Sequence, residues 1–420
     1  MSFFRQLWHI CMHNARAQAQ WELDISTSVL KSRKGLIVLG LFTLPAIIGG
    51  IAIAGDFLGG KEAYSPSFYT NTIFFASIFV GMTAGLITGC IGAGGGFIIA
   101  PALMSAGVKG ILAVGTDLFH IFAKAIMGSV LHKKLGNVSV SLAGIFLIGS
   151  IAGATAGGWL NRAIYEYNPI LSDLFITTIY TFILGFLAFY AMLDYFQARA
   201  AGSDDGAHGG GKEGEAIAPL GKKLQSINIP PMITFDEGVT PGGRRISAIF
   251  LIICGAFVGL AAAVMGVGGG FITFPAFVYV LGVSSMTTVG TDIFQIIFTA
   301  GYAAISQYAC YGFIFYTLAM GMLLGSLVGV QIGALVTKLV PGIYIRGFYA
   351  LAVTAGFVNR FTAMPSKLRQ MDYLAWTKDT TTLIETIGIW LFFICIGAFA
   401  VWVIGIFFAR VGKLKEDTHS

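Results

Sequence analysis

Charged residues are scarce in this chain. They make up 11% of 420 residues, against 56% hydrophobic, with a mean hydropathy of +0.80. A soluble fold carries about twice that charge, so a water-exposed globular domain is excluded. Cysteine is sparse too. Cys11, Cys90, Cys254, Cys310 and Cys395 stand singly, without metal-ligand or redox spacing. No HExxH, nucleotide P-loop or Gly-x-Ser-x-Gly elbow occurs. An enzyme is therefore not expected, and neither is a cofactor or a metal centre. The net charge of +6 is spread over loops, which excludes nucleic-acid binding and points to membrane topology. A cleavable secretion signal is also missing. Residues 1–34 interleave Arg5, His9, His13 and Arg16 with Phe3, Phe4, Leu7, Trp8 and Ile10, which predicts an interfacial amphipathic segment.

What the chain has is apolar length and glycine. A span needs about 20 apolar residues. Stretches of that order lie near 36–54, 72–91, 111–131, 140–160, 172–194, 246–266, 287–309, 314–337, 342–358 and 383–409, or about 10 full spans. The expected fold is an all-α polytopic membrane protein, in a bacterial inner membrane and in contact with the lipid bilayer. Two further apolar pieces, 96–107 and 270–282, are too short to cross as regular helices. They read as half-helices or re-entrant segments, which need protein or a wet cavity around them.

Each short piece follows a glycine run, and the runs are duplicated. Gly92-Ala93-Gly94-Gly95-Gly96-Phe97-Ile98-Ile99-Ala100-Pro101-Ala102 recurs as Gly266-Val267-Gly268-Gly269-Gly270-Phe271-Ile272-Thr273-Phe274-Pro275-Ala276. Val114-Gly115-Thr116-Asp117-Leu118-Phe119 recurs as Val289-Gly290-Thr291-Asp292-Ile293-Phe294. Leu147-Ile148-Gly149-Ser150 recurs as Leu323-Leu324-Gly325-Ser326. The organisation read from this is an extra span at 35–55, a first repeat at 72–194, a flexible cytoplasmic linker at 195–245 whose later piece, 227–235, reads as a short extended segment, a second repeat at 246–360 and a final span at 383–409. The distribution of Lys and Arg favours repeats of inverted orientation. An internal duplication with glycine-broken segments at matching places is the pattern of a transporter, with the breaks at the substrate site.

Consecutive glycines permit backbone angles denied to other residues, and their amides can converge on an anion. A half-helix starting at Phe97 or Phe271 aims its N-terminus at the same point. Gly94, Gly95, Gly96, Gly268, Gly269 and Gly270 are thus candidate substrate-binding positions. Pro101 and Pro275 are candidate structural breaks. The motif regions contain no arginine. The alternative is that the glycines only allow helices to approach.

Asp117 and Asp292 are costly in apolar surroundings and are candidates for ion coupling. Gly-Thr-Asp is also helix-start chemistry, which would make Thr116 and Thr291 caps and the acids structural. His120 and Lys124 lie on the helical face of Asp117, and repeat two has Gln295 and Thr299 there. His120 is a candidate proton carrier. Lys124 and Gln295, with Thr116 and Thr291, complete the candidate substrate contacts.

The paired GxGGGFxxxPA and VGTDxF blocks resemble the sulfite exporter TauE/SafE family over about 72–360. The resemblance implies secondary transport of a small sulfur-containing oxyanion or organosulfonate, such as sulfite, sulfate or sulfoacetate. It implies ion coupling without nucleotide hydrolysis, and carries over Gly94, Gly95, Gly96, Pro101, Thr116, Asp117, Gly268, Gly269, Gly270, Pro275, Thr291 and Asp292. The expected cycle is alternating access coupled to H+, with Na+ as the other coupling ion; a homo-oligomer is compatible with it. Rival readings are an anion channel, a carrier of small carboxylates, and a cation carrier using Asp117 and Asp292.

Overall fold

The computed structural model describes residues 71–91, 95–134, 138–201, 219–236, 242–336 and 340–410, with isolated positions between 44 and 58. The N-terminal segment 1–34, most of the stretch 36–54, linker positions 202–218 and Gly94 lie outside the described residues.

The architecture is helical. Helix α1 (Asn71–Ile91) is followed by the short α2 (Gly96–Ser105), α3 (Gly110–Lys134), α4 (Val140–Tyr167) and α5 (Pro169–Ala201). After α6 (Pro219–Gln225) and a hairpin of β1 (Met232–Phe235) and β2 (Arg244–Ser247) come α7 (Ala248–Met265) and the short α8 (Gly270–Pro275). A π-helical segment (Ala276–Leu281) extends α8. Helix α9 (Ser285–Tyr302) continues through a second π-helical segment (Ala303–Tyr308) and a 3-10 turn (Ala309–Tyr311). Helices α10 (Tyr316–Val336), α11 (Gly342–Gln370) and α12 (Lys378–Arg410) complete the fold. Helix formation follows from composition, since in lipid only a helix satisfies its backbone internally. Among the described residues, seven helices are long and apolar enough to cross a membrane. The chain is a multi-pass membrane protein.

Within 195–245, α5 runs on to Ala201, and 219–247 holds α6 and the antiparallel hairpin, with Met232 opposite Ser247; β1 falls inside the extended segment expected at 227–235. Phe235 and Ile246 are buried against Leu142, Phe146, Phe277 and Leu281, so this part has a core to join. The second repeat also runs past 360, because α11 continues to Gln370.

Helices of the two halves exchange partners. α1 packs most extensively on α10, and α4 on α7. Small residues allow backbone-to-backbone approach, the membrane equivalent of close packing. A Cβ added at Gly149 would lie 1.8 Å from the Ile252 carbonyl oxygen, and one at Gly325 1.9 Å from that of Ile78. Gly153 and Gly157 meet Ala256 and Leu260, while Gly329 and Gly333 meet Met82 and Leu86. Both pairs therefore run parallel. Helices α5 and α11 run antiparallel. Lys367 Nζ lies 3.4 Å from Asp173 Oδ2 at one end, and Arg346 Nη1 3.5 Å from Asp194 Oδ2 at the other.

Candidate functional site

Both glycine runs interrupt a helix. α1 ends at Ile91 and α2 restarts at Gly96; α7 ends at Met265 and α8 restarts at Gly270. The turns use left-handed backbone at Gly95 (φ 60°), Gly266 (φ 80°), Gly268 (φ 66°) and Gly269 (φ 92°). Only glycine adopts this region without strain, which is why the runs break the helices.

The breaks face each other. A Cβ at Gly96 would sit 2.9 Å from Val267 Cγ1 and 3.3 Å from Val267 Cα. Ile121 of α3 touches both: its Cδ1 would be 2.9 Å from a Gly96 Cβ, and its Cγ2 2.6 Å from a Gly268 Cβ. The first amides of α2 and α8 have no preceding helical turn to bond.

The two prolines behave differently from each other. Pro101 does not end α2, which continues to Ser105. It lies one turn in, so the hydrogen bond it removes is a single one in a short helix. Pro275 ends regular α-helix, and the wider π-helical turn begins at Ala276.

Thr116 and Thr291 are not helix caps of their own segments. α3 starts at Gly110, and α9 starts at Ser285 with Ser284 as its cap. Each threonine instead serves a helix in the other half. Thr116 Oγ1 accepts from the Phe315 amide at 2.9 Å, before α10. Thr291 Oγ1 accepts from the Ser139 amide at 3.0 Å, before α4. The helix-start reading of Gly-Thr-Asp fails because the helices begin earlier.

α3 carries the ionisable groups. Asp117 and His120 are fully buried on α3, with His120 Nδ1 3.6 Å from Asp117 Oδ1. His120 Nε2 meets Ser326 Oγ of α10 at 2.9 Å. Lys124, half-buried one turn on, donates to Thr88 Oγ1 at 3.1 Å. Thr88 in turn borders the break, since a Gly95 Cβ would be 2.7 Å from its hydroxyl.

The second break has a neutral polar chain. Gln295 Nε2 donates to Asp292 Oδ1 at 3.0 Å, Thr299 Oγ1 donates to Gln295 Oε1 at 2.8 Å, and Ser150 Oγ of α4 meets Thr299 Oγ1 at 2.6 Å. A Gly270 Cβ would be 3.4 Å from Asp292 Oδ2, so the acid adjoins the start of α8.

Several groups go beyond the duplicated motifs. The break frees the last carbonyls of α7, and three side chains from elsewhere satisfy them. Tyr180 donates to the Met265 carbonyl, Tyr308 to that of Ala263 at 2.6 Å, and Asn161 Nδ2 to that of Val264 at 3.0 Å. Arg360, expected in a loop, is 3% exposed inside α11. Its Nη2 donates to Ser105 Oγ at 2.7 Å and to the Pro101 carbonyl at 3.2 Å, at the C-terminal end of α2 where a cation is favourable. No His, Cys, Asp and Glu cluster able to hold a metal occurs among the described residues.

The family model for the sulfite exporter TauE/SafE matches residues 77–359, from within α1 to within α11. A probable membrane transporter protein, YjnA of Bacillus subtilis (strain 168), is 24% identical over 257 residues, covering 61% of this chain and 87% of that protein. Another from the same organism, YunE, is 23% identical over 275 residues, covering 63% and 89%. Sulfite exporter TauE/SafE family protein 6 of Arabidopsis thaliana is 30% identical over 115 residues, 26% of this chain and 27% of that protein. No solved structure matches. With both breaks, both buried acids, α4, α7, α10 and most of α1 inside the matched range, this chain belongs to the TauE/SafE family.

Proposed function

We propose that the protein is a secondary transporter that carries a small sulfur-containing oxyanion or organosulfonate by alternating access, coupled to protons. Membership of the family supports the membrane-transporter class. The meeting of Gly96 with Val267, flanked by Ile121, is the observation that carries the rest. Two helix restarts at one place gather main-chain donors and positive helix ends, which suits a compact anion. Lys124, held by Thr88 at the edge of the first break, adds a full positive charge. Asp117 and His120 carry the coupling proton, and the Asp292 chain holds the second break in position.

The two halves form inverted repeats. Antiparallel packing of the equivalent helices α5 and α11 supports this, since a two-fold axis in the membrane plane reverses equivalent helices. The moving bodies are not the repeats as contiguous blocks. α1 is locked to α10, and α4 to α7, by glycine contacts too close to slide apart freely. Motion therefore takes place between these exchanged pairs and the helices α2, α3, α8 and α9 that carry the breaks.

Uptake of sulfite, sulfate and sulfoacetate into proteoliposomes, with imposed proton or sodium gradients, tests the reading. Saturable uptake of one of them, driven by a proton gradient, is expected. Uptake of none, or uptake indifferent to both gradients, contradicts it.

A further inference from the structure

We infer that Ser326 is the positioning residue of a one-proton site formed by Asp117 and His120. The inference rests on the coupling role proposed above and adds the residue that sets its protonation. Ser326 has a single hydroxyl hydrogen, and its Oγ lies 3.1 Å from the Leu323 carbonyl, an acceptor only. With that hydrogen directed at Leu323, Ser326 Oγ accepts from His120 Nε2 at 2.9 Å. The proton of a neutral imidazole is thereby fixed on Nε2. Nδ1 is left as a lone pair facing Asp117 Oδ1 at 3.6 Å. Both Asp117 oxygens and His120 Nδ1 are buried with no hydrogen-bond partner among the described residues.

Two unpartnered acceptors facing each other in a buried site are unfavourable, and one proton between them removes the conflict. The pair gains one proton from water on one side and returns it to water on the other. Its charge alternates between −1 and 0, and no other reactant is required.

Other ionisable groups near α3 do not replace this role. Lys124 is on the same helix, one turn on, and bonds Thr88. Tyr180 of α5 and Tyr308 of the π-helical segment donate to carbonyls of α7. Tyr316 of α10 packs on Phe119 and donates to the Leu58 carbonyl. The Cys90 thiol of α1 meets the Gly333 carbonyl, and Asp292 of α9 accepts from Gln295. The second break holds the contrasting case. Ser150 aligns with Ser326 in the repeat, but it meets Thr299 rather than a titratable ring.

The test uses full-length protein in lipid nanodiscs labelled with 15N-histidine, with the His120 signals identified by H120Q. In the wild type, His120 is expected as the Nε2-protonated ring. S326A is expected to mix the two tautomers, S326T to restore the single form, and S150A to leave His120 unchanged. In proteoliposomes, S326A should lose about tenfold of the proton-gradient stimulation of labelled sulfite uptake while keeping uptake down the anion gradient. S326T should recover it. An unchanged His120 spectrum in S326A, or a fully stimulated S326A, overturns the inference; if S326A does not fold, an S326T spectrum with mixed tautomers overturns it. Wild-type uptake indifferent to the proton gradient, with a Ser326-dependent tautomer, would instead overturn the coupling reading and leave the positioning role supported.

Discussion

The two breaks share a backbone plan and differ in their side chains. Asp292 lies at the end of a chain in which Ser150, Thr299 and Gln295 are linked in sequence, ending on its Oδ1. Asp117, at the equivalent place, faces a histidine nitrogen and has neither oxygen satisfied. In the reading proposed above the halves divide the work: Asp292, held by Gln295, keeps its break in position, and Asp117, with no hydrogen-bond partner among the described residues, binds and releases a proton.

Substitutions that make one half resemble the other break this contrast. The largest effect is expected at Asp117. D117N should lower gradient-driven uptake by at least about 100-fold, the order lost when a proton-transfer group is removed. D292N keeps an oxygen for Gln295 and should lower it far less. Equal losses in paired uptake assays would erase the distinction. Next in size is packing across the exchanged helices. G149A places a methyl 1.8 Å from the Ile252 carbonyl oxygen and should lower stability by about 1–3 kcal/mol in a thermal-unfolding assay. G144A, on the same helix with nothing within 4 Å, should be neutral or stabilising. K124T installs the residue of the second half at the first break. It should raise KM for the anion by about tenfold, or ~1.4 kcal/mol, with little change in maximal rate. The smallest effect is expected for T88A, which leaves Lys124 in place without its hydroxyl partner. A KM increase of about threefold, or ~0.6 kcal/mol, fits one neutral hydrogen bond.

The breaks themselves are legible in the sequence, because a glycine run in an apolar stretch leaves few alternatives to left-handed backbone. The shortness of the segments after Gly96 and Gly270 is legible for the same reason of length. The same-face placement of Asp117, His120 and Lys124 follows from helical spacing and holds in α3. Partner exchange is not legible. Gly149 and Gly325 announce a close approach but not which helix approaches. Thr116 and Thr291 were open to misreading because a Gly-Thr-Asp triplet fits a helix start as well as a helix interior. What decides between them is a backbone amide about 150 to 200 residues away. Tyr180, Asn161 and Tyr308 escaped a search for duplicated residues because they serve the end of α7 alone. Asn161, directly after the apolar stretch 140–160 and beside Arg162, was the available signal. Arg360 reads as a loop residue until α2 is seen to end beside it.

The claim that the two interrupted segments meet is tested most directly by a disulfide between them. In a cysteine-free background, G96C and V267C would place their Cβ atoms within bridging range. A protease site inserted in the linker near Gly209 would report the bond, since the two halves then stay joined on a non-reducing gel. The account predicts rapid cross-linking in membranes under mild oxidation, slowed by a bound oxyanion such as sulfate. Halves that separate fully after oxidation, with both cysteines still free to react with a thiol reagent, would contradict it.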